Sequence, residues 1–166
     1  MYARAAKWVG AGLVTCLVAA VDVAGASEFQ ARVFRVVDGD TVELRHDRRS
    51  ERARLRGLDC PELKQPYGPQ AKRAVASMVT GTTVLVRTYG RDKSGLLLVD
   101  VVLQGGRSVG RSLLQEGLAW YASTGPADAD LEAAEAEARY AKRGLWSDPN
   151  PVAPWVYRAS KSRKRS

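Results

Sequence analysis

The sequence predicts an α+β fold that is mainly β: a small five-stranded barrel with three helices packed on it. Three observations carry this. Five short segments rich in β-branched residues are spread between Phe29 and Leu103. The first three follow one another with little chain between them, as an antiparallel meander requires. The helical patterns come later, ending in a long one from Asp128 to Lys142 that a sheet-only sandwich does not supply.

Each element has its own signature. Phe29–Val37 alternates loosely and reads as a strand, closed by the turn signal Asp38-Gly39. Thr41–Leu44 resumes the alternation; after a charged loop, Ala53–Leu58 alternates again. Pro66-Tyr67-Gly68-Pro69 breaks the chain as a turn before the first helix, Gln70–Val79, where Ala71, Ala74, Val75 and Met78 share one face. Thr82–Val86 is a short strand, and Leu96–Leu103 a strongly apolar one closed by Gly105-Gly106. Val109, Leu113 and Leu114 form the apolar face of a second helix ended by Gly117. The third, Asp128–Lys142, has acids at its start and Arg139, Lys142 and Arg143 near its end, matching the helix dipole, with Gly144 as C-cap.

The chain has 166 residues, 45% hydrophobic and 27% charged, which excludes a collagen-like, low-complexity or mainly disordered polymer and fits one domain. Its net charge of +8 suggests an anionic partner. Residues 1–26 read as an export signal: Arg4 and Lys7, an uncharged run from Trp8 to Val21, then Ala24-Gly25-Ala26 before Ser27. The run is shorter than the roughly 20 residues of a membrane span. The expectation is therefore an exported protein, periplasmic or extracellular, the alternative being an inner-membrane anchor made of residues 1–26. Cleavage leaves Cys60 as the sole cysteine, so packing alone holds the fold. His46 is the one histidine, read as a solvated turn residue, and without a partner it leaves no zinc site and no His-based dyad.

The chemistry lies in carboxylates. Asp40 follows the Asp38-Gly39 turn, while Asp59 and Glu62 flank Cys60-Pro61 at the end of the third strand. Antiparallel pairing of the second and third strands can bring these points together. Two carboxylates and a backbone carbonyl make an oxygen-only site that a hard cation such as Ca²⁺ accepts. Glu62 could activate a water, and Arg54 could grip a phosphate with its fork. From spacing alone two readings stand: a phosphodiester hydrolase, or a hairpin turn and a polar loop, and the latter is the simpler.

The motifs themselves go further. Val37-Asp-Gly-Asp-Thr-Val42, Arg54-Leu-Arg-Gly-Leu-Asp-Cys-Pro-Glu62 and Tyr67-Gly-Pro-Gln-Ala71 resemble the staphylococcal (thermo)nuclease family. So do Gly106–Ala119, Ala136–Trp146 and the closing Pro154-Trp-Val-Tyr-Arg158, in order and at compatible spacing from about Arg32 to Arg158. The resemblance implies an OB-type five-stranded barrel with three helices and calcium-dependent cleavage of DNA or RNA. It assigns one Ca²⁺ to Asp40, Asp59 and the carbonyl of Cys60, where the family usually has Thr. Glu62 matches the proposed general base and Arg54 the first phosphate-binding arginine. No obligate protein partner is evident, and a monomer is expected.

One departure bears on activity. The family has a second catalytic arginine in a Tyr-Gly-Arg motif after an Asp-Lys or Asp-Arg pair. The matching segment is Asp92-Lys93-Ser94-Gly95-Leu96, so Leu96 stands where the arginine is expected. Tyr89-Gly90-Arg91 lies before Asp92 and aligns with the motif only through a compensating insertion. Removing a positioned cation from a phosphoryl transition state costs roughly 10³–10⁵ in rate. The expectation is an active or weakly active nuclease, in which Arg91 or Lys93 could substitute; the alternative is a non-catalytic OB module that binds nucleic acid. A surface-anchored interaction protein, with residues 1–26 retained, is a third reading.

The charge is unevenly spread. Positions 27–157, the domain, hold 19 basic and 17 acidic residues, while residues 158–166, expected to be a disordered basic tail, hold five basic and no acidic ones. Residues 45–56 carry six arginines and 128–137 five acids. Trp120-Tyr121 reads as barrel packing or a base-stacking surface, and Trp146 and Trp155 as anchors of the last helix and the C-terminal segment.

Overall fold

The computed structural model describes residues 27–122 and 127–163. The expected export signal, residues 1–26, and the last three residues of the tail lie outside the described residues. Five strands close a barrel: β1 (Glu28–Val36), β2 (Thr41–His46), β3 (Arg49–Leu55), β6 (Leu97–Val102) and β5 (Thr83–Arg91), in that order around the wall, with β5 returning to β1. All neighbours are antiparallel except β3 and β6, whose parallel pairing closes the meander. Two short strands, β4 (Leu58–Asp59) and β7 (Trp120–Tyr121), pair outside the barrel. The helices are α1 (Gly68–Val79), α2 (Val109–Gln115), α3 (Ala129–Tyr140) and α4 (Pro154–Arg163), with a 3-10 turn at Gly144–Ser147. This is the expected OB-type barrel of five strands, with one helix more than expected.

The barrel forms because alternate residues point inward. Val33, Val42, Leu44, Leu55, Val86, Val99 and Val101 are fully buried, and α1 and α2 cap them with Val75, Val79, Leu113 and Leu114. A second apolar group, Ala138, Leu145 and Trp146, seats α3 and the 3-10 turn.

Four local expectations are corrected. The charged loop before Ala53 is half of a hairpin: Arg49–Arg52 pairs with β2, and Asp47-Arg48 makes the turn with φ of 45° and 63°. Asp and Arg at a turn that favours Asn-Gly hid that signal. His46 accordingly ends a strand, its Nδ1 2.7 Å from the Gln30 carbonyl and its ring against Phe29. Gly144 is not the cap of α3, which ends at Tyr140, with Lys142 taking the left-handed conformation. What Gly144 permits is contact with the Gly117 carbonyl, into which a Cβ would run. Finally, the tail expected to be disordered from Arg158 is helical to Arg163 within α4. Its lack of apolar periodicity misled because the segment is held by Pro154, Trp155 and Tyr157 at its start, with only Pro154 buried.

Candidate active site

The β1–β2 turn and the end of β3 are neighbours because of register. Thr41 stands opposite Arg54, and the Asp40 carbonyl accepts from the Leu55 N–H at 2.8 Å. Asp38 closes the turn by accepting from the N–H groups of Asp40 and Thr41. The Asp40 carboxylate, 8% exposed, accepts from the Thr41 hydroxyl at 2.8 Å and from the Cys60 N–H at 3.1 Å. The bond from Cys60 ties the turn to the residue after Asp59, and so joins two sites twenty residues apart in sequence.

Gly39 is required by close approach. A Cβ there would lie 2.6 Å from the Cys60 Cβ and 2.8 Å from the Ala71 Cβ. Cys60 is 3% exposed, and burial foremost, with Asp40, Asp38 and Asp59 adding to it, pushes its thiol well above the usual range. The side chain is a packing element, while its backbone N–H holds the Asp40 carboxylate.

Asp59 is fixed by β4 pairing with β7, where it stands opposite Trp120. Glu62 sits just beyond, on a loop closed by Gln65: the Gln65 side-chain oxygen accepts from the Glu62 N–H, and the Gln65 N–H donates back to the Glu62 carbonyl at 2.8 Å. Arg54 comes from β3, donating to Asp92 at 3.0 Å and lying 3.7 Å from Asp40. Its Nε is buried without a hydrogen-bond partner. Asp38, Asp40, Arg54, Asp59, Cys60 and Glu62 line one cleft of about 640 Å³, together with Arg91 to Ser94 of the β5–β6 turn. All five residues singled out from sequence, Asp40, Arg54, Asp59, Cys60 and Glu62, are thus brought together.

Five carboxylates, Asp38, Asp40, Asp59, Glu62 and Asp92, share the cleft with four cations, Arg54, Arg91, Lys93 and Arg158. Burial foremost, then the charge of Asp38, pushes the Asp40 carboxyl up to about 7, against the Cys60 N–H, the Thr41 hydroxyl and Arg54. Among the described residues no three His, Cys, Asp or Glu side chains are gathered as a metal cluster.

Leu96 is held by its backbone, its N–H donating to Asp92 at 3.0 Å and its carbonyl accepting from Asp92 at 2.9 Å. It is not among the residues lining the cleft; Leu98 is. Arg91 lines the cleft but is tied to Glu51 and to the Gly95 carbonyl, and Lys93 lies at the rim.

One residue that sequence reasoning left in the tail lies in the site. Arg158, from α4, places Nη1 3.1 Å and Nη2 2.6 Å from the two Asp59 oxygens, with Nη1 also 2.8 Å from Glu62. The signal was present in Pro154-Trp-Val-Tyr-Arg158: a proline that opens a helix, and aromatics that seat it. Trp155 meets Trp120 edge-on at 5.7 Å and Trp120 meets Trp146 at 4.5 Å, so both tryptophans do anchor the C-terminal segment.

Comparison with known proteins agrees with this geometry. The family model for "Staphylococcal nuclease homologue" matches residues 52–148. An "Uncharacterized endonuclease" of Escherichia coli is 40% identical over 135 residues, covering 81% of this chain and 88% of its own. A "Micrococcal nuclease" of Shigella flexneri is 35% identical over 162 residues, covering 90% and 92%. "Staphylococcal-like nuclease CAN1" of Arabidopsis thaliana is 38% identical over 110 residues, covering 66% of this chain and 34% of its own. With the barrel, the paired strand ends and these relatives in agreement, the chain belongs to the staphylococcal nuclease family.

Proposed function

We propose that the chain is an exported nuclease that hydrolyses phosphodiester bonds of DNA or RNA with the help of calcium. The observation that carries this reading is the convergence of Asp40, Asp59 and Glu62 with Arg54 in one cleft. The donor set fits a hard cation, since every donor is oxygen and Asp59 already attracts a cationic group, the Arg158 guanidinium. Asp40, Asp59 and the Cys60 carbonyl would hold the ion, which when bound supplies Lewis-acid polarisation of the phosphate.

The chain's own residues do the rest. Thr41 and the Cys60 N–H fix the direction of the Asp40 carboxylate. Glu62, on its pinned loop and half-exposed, orients a water and takes its proton at a carboxylate oxygen. Arg54, its side chain partly exposed in the cleft, offers guanidinium N–H groups to the charge that builds on phosphate oxygens. Leu96 at the position of the family's second arginine supports a reduced rate.

The test is digestion of denatured DNA by the chain beginning at Ser27, with and without Ca²⁺, against Glu62→Gln. Cleavage that needs Ca²⁺ and fails in the variant supports the reading; unchanged cleavage by Glu62→Gln removes it. Export rests on residues 1–26, and Ser27 as the N-terminus of protein in a soluble fraction is the supporting result; an intact N-terminus in the membrane fraction selects the anchored alternative.

A second reading is a nucleic-acid-binding module that does not cut, favoured by Leu96 alone. It requires salt-sensitive binding and no cleavage with any divalent ion. Cleavage gained by Leu96→Arg would then attribute the silence to the missing arginine.

A further inference from the structure

We infer that Arg158 is a phosphate-binding residue of this cleft, a guanidinium delivered by the C-terminal helix in place of the one missing at Leu96. The inference rests on the nuclease reading and adds a residue to it.

Position is the first argument. The Arg158 fork is bidentate on Asp59 and also touches Glu62, so its N–H groups lie among the groups assigned to the cation and the water. Arg54, in the same cleft, is paired instead with Asp40 and Asp92. The two guanidinium groups line the same cleft on different carboxylates, so that one phosphate entering it can meet both. Neither side chain from the β5–β6 turn serves equally well: Arg91 is engaged by Glu51, and Lys93 is a point charge without a fork.

The other argument is that Arg158 is delivered to this place. The Tyr157 hydroxyl donates to the Lys64 carbonyl at 3.1 Å, on the loop that carries Glu62. Gln65, 5% exposed, binds both parts: its oxygen accepts from the Glu62 N–H and its amide nitrogen donates to the Val152 carbonyl. Trp155 packs on Trp120, the strand partner of Asp59. The same three contacts thus fix Asp59, Glu62 and the root of α4 relative to one another. The Arg158 side chain itself is about half exposed, 49%, which leaves it free to exchange partners.

Partner exchange follows from charge. With Asp59 engaged in holding a cation, the Arg158 fork loses its bidentate partner while its backbone stays seated. Its donors are then available to phosphate oxygens at the same mouth of the cleft. Two effects of opposite sign result. Arg158 competes with a cation for Asp59, and it adds to the binding of phosphate.

The experiment compares wild type, Arg158→Ala and Tyr157→Phe, the last loosening the seat of α4 while keeping the guanidinium. Three readouts are taken: Ca²⁺ affinity by titration with the ion alone, affinity for a cleavage-resistant phosphorothioate oligonucleotide with Ca²⁺ present, and kcat on denatured DNA. Arg158→Ala is expected to bind Ca²⁺ several-fold more tightly, bind the oligonucleotide at least tenfold more weakly, and turn over at least a hundredfold more slowly. Tyr157→Phe should show no gain in Ca²⁺ affinity. If Ca²⁺ and oligonucleotide affinity fall together in both variants, Arg158 only seats the helix and the inference is overturned. Unchanged oligonucleotide binding, or faster cleavage, by Arg158→Ala overturns it as well. If the wild type cuts nothing with any divalent ion, the nuclease reading fails. Loss of oligonucleotide binding in Arg158→Ala would still support the phosphate contact, and unchanged binding would overturn it.

Discussion

Two charged clefts lie near the end of β3, and they use charge in opposite ways. The acidic cleft holds Asp40, Asp59 and Glu62. The arginine-rich cleft, about 450 Å³, lies between the barrel wall and α3 and is lined by Arg56, Arg87, Arg107, Arg111, Asp100 and Asp128 among others. Judged by residue type alone, four arginines make the arginine-rich cleft the better anion site. Its contacts say otherwise. Arg56 is paired with Asp128 at 2.7 Å and stacked 4.1 Å from the Tyr89 ring centre; Arg87 is paired with Glu28, and Asp100 accepts from the Ser108 hydroxyl. Asp128 is also the N-cap of α3, accepting from the Leu131 N–H. Each of these charges has a local partner that fastens one element to another. In the acidic cleft the carboxylates converge and one is nine-tenths buried; an unpartnered buried Nε is common to both clefts, on Arg54 in one and Arg56 in the other. A cluster of charge becomes a site when its members are left incompletely satisfied by one another.

The largest effect that can break this contrast is at Glu62. Glu62→Gln keeps the shape and removes the proposed base, so kcat should fall by about 10²–10⁴, the range of general-base contributions. The melting temperature should stay close to wild type, because the side chain is half-exposed and bonded only to Arg158. A drop in stability that accounts for the lost rate would make Glu62 a structural residue like Asp128.

Gly39→Ala comes next, because it strikes packing and site together. The added Cβ must displace Cys60 or Ala71, both fully packed, at a cost of about 1–3 kcal/mol. Since the Cys60 N–H bonds Asp40, the displacement should also weaken Ca²⁺ binding by more than the loss of stability explains. Thermal unfolding and cation titration on the same variant separate the two.

Asp128→Ala tests the arginine-rich cleft. It removes a helix cap worth about 1 kcal/mol and leaves the Arg56 guanidinium, 26% exposed, without its ion pair. A loss of about 2 kcal/mol by denaturant unfolding is expected from the cap and the ion pair together, with kcat at a temperature where the variant is folded within twofold of wild type. A hundredfold loss of kcat would join the two clefts into one functional surface.

The sequence made the acidic cleft legible and the arginine-rich one not, for a physical reason. Asp40, Asp59 and Glu62 occur at strand ends, where turn chemistry and motif spacing are local and readable. Their convergence needed only that β2 and β3 pair, which alternation predicts. The partners in and around the arginine-rich cleft, Arg56 with Asp128 and Arg87 with Glu28, are 72 and 59 residues apart, and nothing local announces them. Arg158 was missed similarly. Its partners lie 96 and 99 residues earlier, and the polar stretch after it matched the composition of a disordered tail. The helix was encoded in Pro154, Trp155 and Tyr157, whose seats are tertiary.

The smallest effect concerns the two arginines of the arginine-rich cleft that make no ion pair among the described residues. Arg107 and Arg111 are exposed at the rim of the arginine-rich cleft. Any phosphate they contact should contribute about 0.7 to the slope of log affinity against log salt for single-stranded DNA. If nucleic acid runs only through the acidic cleft, Arg107→Ala with Arg111→Ala should leave that slope unchanged, well inside the about 0.7 of a single contact, and move stability by no more than about 0.5 kcal/mol. A fall in slope of about 1.4 would mean that both arginines meet phosphate. The strand would then pass over β3 and α2 as well as the acidic cleft, and the pairs that fasten α3 would be the floor of a binding surface rather than its alternative.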